Sequence, residues 1–85
     1  MRDQDESKDL LYAIRALEIM MSSGIGLEAA ILSIASGGYG IISDDFERMI
    51  KQQKKGTKLE TAIRDLMKKA GSKGYNKLLT TMYNN

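Results

Sequence analysis

The sequence GIGLEAAI at residues 24–31 recurs as GTKLETAI at residues 56–63, an offset of 32 residues. Five residue types stand in register in the two copies, namely glycine, leucine, glutamate, alanine and isoleucine. Upstream of each glycine, apolar residues recur every three to four positions, which is the period of an amphipathic helix. Because glycine readily adopts the positive φ that ends a helix, each copy predicts a helix, a glycine turn and a second helix. The repeated unit is therefore an αα-hairpin used twice.

The same periodicity extends the prediction to five helices. They cover residues 10 to 21, 27 to 35, 43 or 44 to about 55, 57 to 70, and 75 to the end. Ser43 or Asp44 is expected to cap the third helix, and Thr57 and Glu60 have the spacing of a capping box for the fourth. We expect the first helix to be the most buried. Two hairpins with apolar stripes predict an all-α fold, a compact antiparallel bundle of about five helices that the last helix closes.

The length of 85 residues fits one domain. Residues 1–9 are polar and acid-rich, so we expect a frayed lead-in, followed by a single helical domain over residues 10–85. The longest mainly apolar run, residues 29–35, is far shorter than the roughly 20 residues of a membrane-spanning helix. We therefore expect this piece of chain to be soluble.

The composition narrows the possible chemistry. The chain has no cysteine, which excludes a disulfide scaffold and a cysteine-ligated metal. It also has no histidine, which removes the commonest general base and metal ligand. We expect no enzymatic activity, no cofactor and no metal.

Two local patterns could suggest ligand sites. The glycine-rich residues 37–40 are read as a connector, because no strand precedes them and no Gly-Lys-Ser/Thr follows. Asp44, Asp45 and Glu47 could form a calcium or carboxylate site. They crowd a predicted helix N-terminus, where the helix dipole favours acidic residues, so capping explains them without a ligand.

The net charge of +2 conceals an asymmetry along the chain. Residues 1–42 carry three basic and six acidic side chains, whereas residues 43–85 carry ten basic and five acidic ones. The candidate docking residues, called the 48–58 cluster, lie at the end of the third helix and in the following turn: Arg48, Lys51, Lys54, Lys55 and Lys58. They are either a solvated helix face or a surface that binds an acidic protein or lipid headgroups.

The order of these motifs resembles the type II secretion F family. A helix ending in a small residue and glycine precedes a Leu-x-x-Ala helix, a glycine-containing connector follows, and a second Gly-x-x-Leu-x-x-Ala hairpin comes next. The residues that carry the resemblance are Ser23, Gly24, Leu27, Ala30, Gly40, Gly56, Leu59 and Ala62. The similarity covers roughly Leu10 to Met82. Ile41 stands where the family often has proline, and the short connector is most similar to archaeal members.

This resemblance implies the cytoplasmic domain of a longer integral membrane protein, at the cytoplasmic face of the inner membrane. The parent would be the platform of a type II secretion, type IV pilus or archaeal flagellum machine. It would couple a hexameric secretion ATPase to the assembly or export of pilin-like subunits. Other assembly-machine subunits and a homo-oligomeric copy are further implied partners, and no nucleic acid is expected.

The alternative is a small helix-turn-helix domain that binds nucleic acid, since two helices joined by a glycine turn beside lysines also fit that class. Against it, the candidate second helix carries only Arg64, Lys68 and Lys69, with Glu60 and Asp65 beside them.

Overall fold

The computed structural model describes the backbone of residues 2–84 and the side chains of residues 8–84. Met1, in the predicted lead-in, and Asn85, in the predicted last helix, lie outside the described residues. Over residues 2–84 the chain forms five helices and no strand: α1 (Arg2–Ser22), α2 (Leu27–Ala35), α3 (Ile41–Lys54), α4 (Leu59–Lys69) and α5 (Lys73–Tyr83). The all-α prediction is confirmed.

The helices fall into two compact units, Met1–Glu47 and Arg48–Asn85, and the division lies inside α3. In the first unit α1 packs against α2, and in the second α4 packs against α5. The expectation that residues 10–85 form one domain closed by the last helix stays a prediction.

The buried apolar side chains of the first unit come from three helices. They are Ala13 and Leu17 of α1, Ala30, Ile31 and Ile34 of α2, and Ile42 and Phe46 of α3. The short α2 thus contributes three buried residues within nine, because Ala30, Ile31 and Ile34 follow the helical period.

The prediction that α1 is the most buried helix is wrong. Only Ala13 and Leu17 are buried among its described side chains, whereas Leu11, Tyr12 and Ile19 are 50%, 55% and 69% exposed. The apolar residues of α1 are spread around the helix, so packing on one side leaves the others in solvent. The helix is also longer than predicted, since it begins at Arg2 and not at Leu10.

In the second unit the buried apolar side chains are Met49 of α3, Ala62 and Ile63 of α4, and Tyr75, Leu78, Leu79 and Met82 of α5. The four residues of α5 lie at i, i+3, i+4 and i+7, which is the spacing of one helical face. Two polar links join α4 to α5. The Asn76 side chain donates to the Met67 carbonyl at 2.8 Å, and Arg64 donates to the Tyr83 hydroxyl at 3.2 Å.

Helix α3 begins at Ile41, so the prediction that Ser43 or Asp44 caps it is wrong. Ser43 lies inside the helix and is only 7% exposed. Its hydroxyl donates to the Ile34 carbonyl at 2.7 Å and accepts from the Tyr39 backbone N–H at 2.7 Å. The serine therefore ties the end of α2 to the start of α3, because its hydroxyl bonds one backbone group of α2 and one of the connector.

Candidate functional site: two glycine turns and a basic surface

The first glycine turn follows α1 and is built by backbone hydrogen bonds. Gly24 has φ +88°, in the region that favours glycine. Its N–H donates to the Met21 carbonyl at 3.2 Å, and the next N–H, of Ile25, donates to the Met20 carbonyl at 3.1 Å. These two bonds define a Schellman motif, which satisfies carbonyls that the end of a helix leaves unpaired. The chain then re-enters a helix after Gly26, whose carbonyl accepts from the Ala30 N–H.

The second turn repeats this arrangement 32 residues later. Gly56 has φ +110°, its N–H donates to the Gln53 carbonyl at 3.0 Å, and the Thr57 N–H donates to the Gln52 carbonyl at 3.0 Å. The following helix begins after Lys58, whose carbonyl accepts from the Ala62 N–H at 3.0 Å. The repeat detected in the sequence is therefore also a repeat of backbone geometry and hydrogen bonding.

The other motif residues are structural in the same way in both copies. Ala30 and Ala62 are 0% and 1% exposed, and Leu27 and Leu59 are half-buried. Ser23 is exposed, and its hydroxyl donates to the Met20 carbonyl at 2.9 Å in the last turn of α1. Each motif thus holds a turn and the helix that follows it.

Gly40 has φ +62°, a backbone conformation that favours glycine. A Cβ at this position would meet the carboxylate of Asp9 from α1, which is the end of a flexible side chain and could move aside. Because the Gly40 carbonyl accepts from the Asp44 N–H, the Asp9 carboxylate lies beside the N-terminal end of α3. A helix dipole favours a negative charge there. The sequence offered no signal for this role of Asp9, since the partners are 31 residues apart.

The predicted capping box of Thr57 and Glu60 is not formed. The N-cap of α4 is Lys58, with φ −65° and ψ 142°, and no side chain caps it. Thr57 lies one residue before this N-cap, and its N–H donates to the Gln52 carbonyl in the Schellman motif of the preceding turn. The side-chain cap is instead at α5, where the Ser72 hydroxyl accepts from the Tyr75 N–H at 3.2 Å.

The acidic residues of α3 do not form a metal site. Asp44 and Glu47 are exposed and Asp45 is half-buried. Among the described side chains, no group of three acidic, histidine or cysteine residues could hold a metal ion.

The 48–58 cluster is exposed at all five positions. Arg48 and Lys51 lie in α3, and Lys55 directly follows it at the spacing i, i+3 and i+7. The Lys55 N–H still bonds to the Lys51 carbonyl, so helical geometry brings the three residues to one face. Lys54 is the last residue of α3, and Lys58 is the N-cap of α4. The cluster therefore runs from α3 across the Gly56 turn, within the second unit.

Two explanations apply to this basic surface. Lys51 and Lys54 lie in the last turn of α3, where the helix dipole favours a cation by about 0.3–1 kcal/mol. A contribution to helix stability therefore explains two of the five positive charges. It does not account for Lys58, at the start of α4, where the dipole has the opposite sign. The geometry can thus present a compact positive surface to an acidic partner.

Comparison with known proteins gives the family. None of the described helices combines the length and hydropathy that crossing a membrane requires. No curated protein and no solved structure matches the chain. The model of a family described as Type II secretion system (T2SS), protein F matches residues 13–85, which include both glycine turns and all the motif residues. The chain therefore belongs to the type II secretion system protein F family.

Proposed function

We propose that the chain is the cytoplasmic helical module of a membrane platform protein that couples a hexameric secretion ATPase to the assembly or export of pilin-like subunits. The observation that carries this proposal is the family match over residues 13–85. Proteins of this family serve as platforms in secretion and pilus assembly, so a role within a machine of several subunits follows from membership.

The proposed role is mechanical and involves no bond chemistry. The absence of cysteine and histidine supports it, since these are among the commonest catalytic side chains. Short hydrogen-bonded connections also support it. The Schellman turns, the buried Ser43 hydroxyl and the bond from Asn76 to Met67 hold consecutive helices by fixed contacts. Packed helices with such connections deform little, so they can transmit a displacement.

We assign the 48–58 cluster as the surface that meets the ATPase. Five exposed cations on one helix end and turn suit an acidic protein patch, and charge complementarity raises the rate of association. Such an interaction weakens with salt, because the Debye length is only about 8 Å at physiological ionic strength.

The experiment is a binding titration of the purified chain with its cognate secretion ATPase. The variant K51E/K54E/K55E should raise Kd at least about tenfold, which corresponds to about 1.4 kcal/mol. The control K68E/K69E/K73E changes the net charge equally but lies at the ends of α4 and α5. It should leave Kd within about twofold, a change of about 0.4 kcal/mol. Circular dichroism verifies that both variants fold.

Three results would contradict the proposal. They are no binding of the native chain to the ATPase, equal losses for the two variants, or an unchanged Kd for K51E/K54E/K55E. A salt-dependent shift of duplex DNA with an affinity above that for the ATPase would instead support the helix-turn-helix alternative.

A further inference from the structure

The two units differ in charge far more than the two halves of the sequence. Met1–Glu47 carries three basic and nine acidic residues, and Arg48–Asn85 carries ten basic and two acidic ones. The difference in net charge is larger between the units because the acidic residues of α3 belong to the first unit and its basic residues to the second. All ten basic side chains of the second unit are exposed.

Four of these side chains form a second group, called the 68–77 cluster, around the loop of residues 70–72. Lys68 and Lys69 end α4, Lys73 is the first residue of α5, and Lys77 lies one turn further. The sequence has no acidic residue from position 66 to its end, and the nearest, Asp65, lies one turn before Lys69. The cluster is therefore an uninterrupted run of positive charge across two helix ends.

The helix dipole favours the positions of only two of the four lysines in this cluster. Lys68 and Lys69 lie in the last turn of α4, where the dipole favours cations. Lys73 lies at the first position of α5, where the dipole disfavours a cation, and it stands four residues from Lys77, a like-charge pair that destabilises a helix. An anionic surface outside the chain would compensate both unfavourable terms.

The side-chain chemistry distinguishes between anionic partners. All four residues are lysines, whose compact hydrated ammonium groups suit a diffuse negative surface, whereas paired recognition of base edges or phosphates favours arginine. The lysines lie at two helix ends and not along one helix that could enter a groove of DNA. Among the large apolar side chains of α4 and α5, only Tyr83 is exposed, and it ends α5 away from the loop of residues 70–72, so binding would rest on charge without insertion.

We propose that the 68–77 cluster binds an anionic lipid surface, and thereby sets which side of the second unit faces the membrane. The proposal rests on the assignment of the chain to a membrane platform, which supplies the surface. It adds a lipid contact separate from the ATPase contact of the 48–58 cluster. Each lysine near a negatively charged leaflet strengthens binding about fivefold, and this attraction acts only within about a Debye length of the surface.

The test measures sedimentation of the full chain with vesicles of phosphatidylcholine and phosphatidylserine in equal amounts, and with vesicles of phosphatidylcholine alone. The native chain should bind the first and not the second, and high salt should release it. The variant K68Q/K69Q/K73Q/K77Q should lower the partition coefficient at least about a hundredfold. Glutamine keeps a high helix propensity, and circular dichroism verifies the fold.

The matched control is K51Q/K54Q/K55Q/K58Q, which removes the same number of charges from the 48–58 cluster. Its partition coefficient should fall less than about tenfold. Equal losses in the two variants would overturn the assigned surface, because binding would then follow net charge alone. Absence of binding to the charged vesicles, equal binding to neutral ones, or tighter binding to duplex DNA would overturn the lipid proposal.

The two proposals can fail separately. The ATPase titration uses no lipid, and the vesicle assay uses no ATPase. Loss of ATPase binding only in the 48–58 variant, and loss of vesicle binding only in the 68–77 variant, is the result that both proposals expect.

Discussion

Replacing Gly56 by alanine tests the role of the glycine turns. Gly56 holds φ +110° at the position where the second Schellman motif reverses the chain. A Cβ added there would have no atom within 4 Å, so alanine meets no steric obstacle. The cost of the substitution is therefore the backbone conformation alone. The same holds for Gly24, at φ +88° and also without a neighbour within 4 Å.

The expected change in the free energy of unfolding is the sum of two opposing effects. A left-handed backbone costs an L-residue about 1–2 kcal/mol. Alanine also restricts the unfolded chain, which on its own would stabilise the fold by about 0.4–1 kcal/mol, and at positive φ the strain exceeds this gain. We expect a net loss of about 1 kcal/mol, or about 4–8 °C in Tm for a domain of this size. Gly24→Val and Gly56→Val should cost at least as much, because a β-branched residue is stiffer.

The assay is thermal and urea unfolding followed by far-ultraviolet circular dichroism. Gly71→Ala is the matched control, since Gly71 is exposed, has open space around a Cβ and does not hold a positive φ. Its Tm should stay the same or rise. Chemical synthesis can also place D-alanine at position 56, where its mirror-image preference for positive φ should stabilise the chain. An L-alanine variant as stable as the native chain, or equal stability of the two isomers, would refute the reasoning.

Three further predictions concern polar and glycine contacts. Ser43→Ala should lower the free energy of unfolding by about 1–3 kcal/mol, because the Tyr39 N–H loses its acceptor and the Ile34 carbonyl keeps only its bond from the Gly37 N–H; an unchanged urea midpoint would contradict this. Ser72→Ala should cost about 0.5–2 kcal/mol of stability and Thr57→Ala less than about 0.5 kcal/mol, since of these two residues Ser72 alone caps a helix. A larger fall in Tm for Thr57→Ala than for Ser72→Ala would support the capping box instead. Gly40→Ala should cost about as much as alanine at either turn glycine, because the Asp9 carboxylate that the new Cβ would meet is the end of a flexible side chain and can move away; a clearly larger loss that Asp9→Ala recovers would contradict this.

The sequence was sufficient where the determining physics is local. Glycine at the ends of two amphipathic segments predicted both turns, since the positive φ and the backbone bonds of a Schellman motif involve only neighbouring residues. The end of α2 at Ala35 was predicted from the glycines that follow it, of which Gly38 holds φ +76°. The family resemblance likewise rested on the order of these local motifs, and the match over residues 13–85 confirms it.

The errors arose where partners are distant in sequence. The capping rules placed the start of α3 at Ser43 or Asp44, but the Ser43 hydroxyl bonds to the Ile34 carbonyl, a contact visible only once α2 and α3 are folded. The burial of α1 was overestimated, because periodicity identifies apolar residues without showing which side packs. The 48–58 cluster was predicted from the run of basic residues in the sequence. The 68–77 cluster is contiguous in sequence, but only the helix ends at Lys69 and Lys73 show that its four lysines surround one loop.

Site-specific crosslinking in the assembled machine tests the central claim most directly. The chain has no cysteine, so a single introduced cysteine can carry a photocrosslinker without a background reaction. We would place it at Lys51, in the 48–58 cluster, and as a control at Glu28, an exposed residue of α2 in the acidic unit. We predict a crosslink to the secretion ATPase from position 51 that is absent from position 28. An ATPase crosslink of equal yield from position 28, or none from position 51, would contradict it.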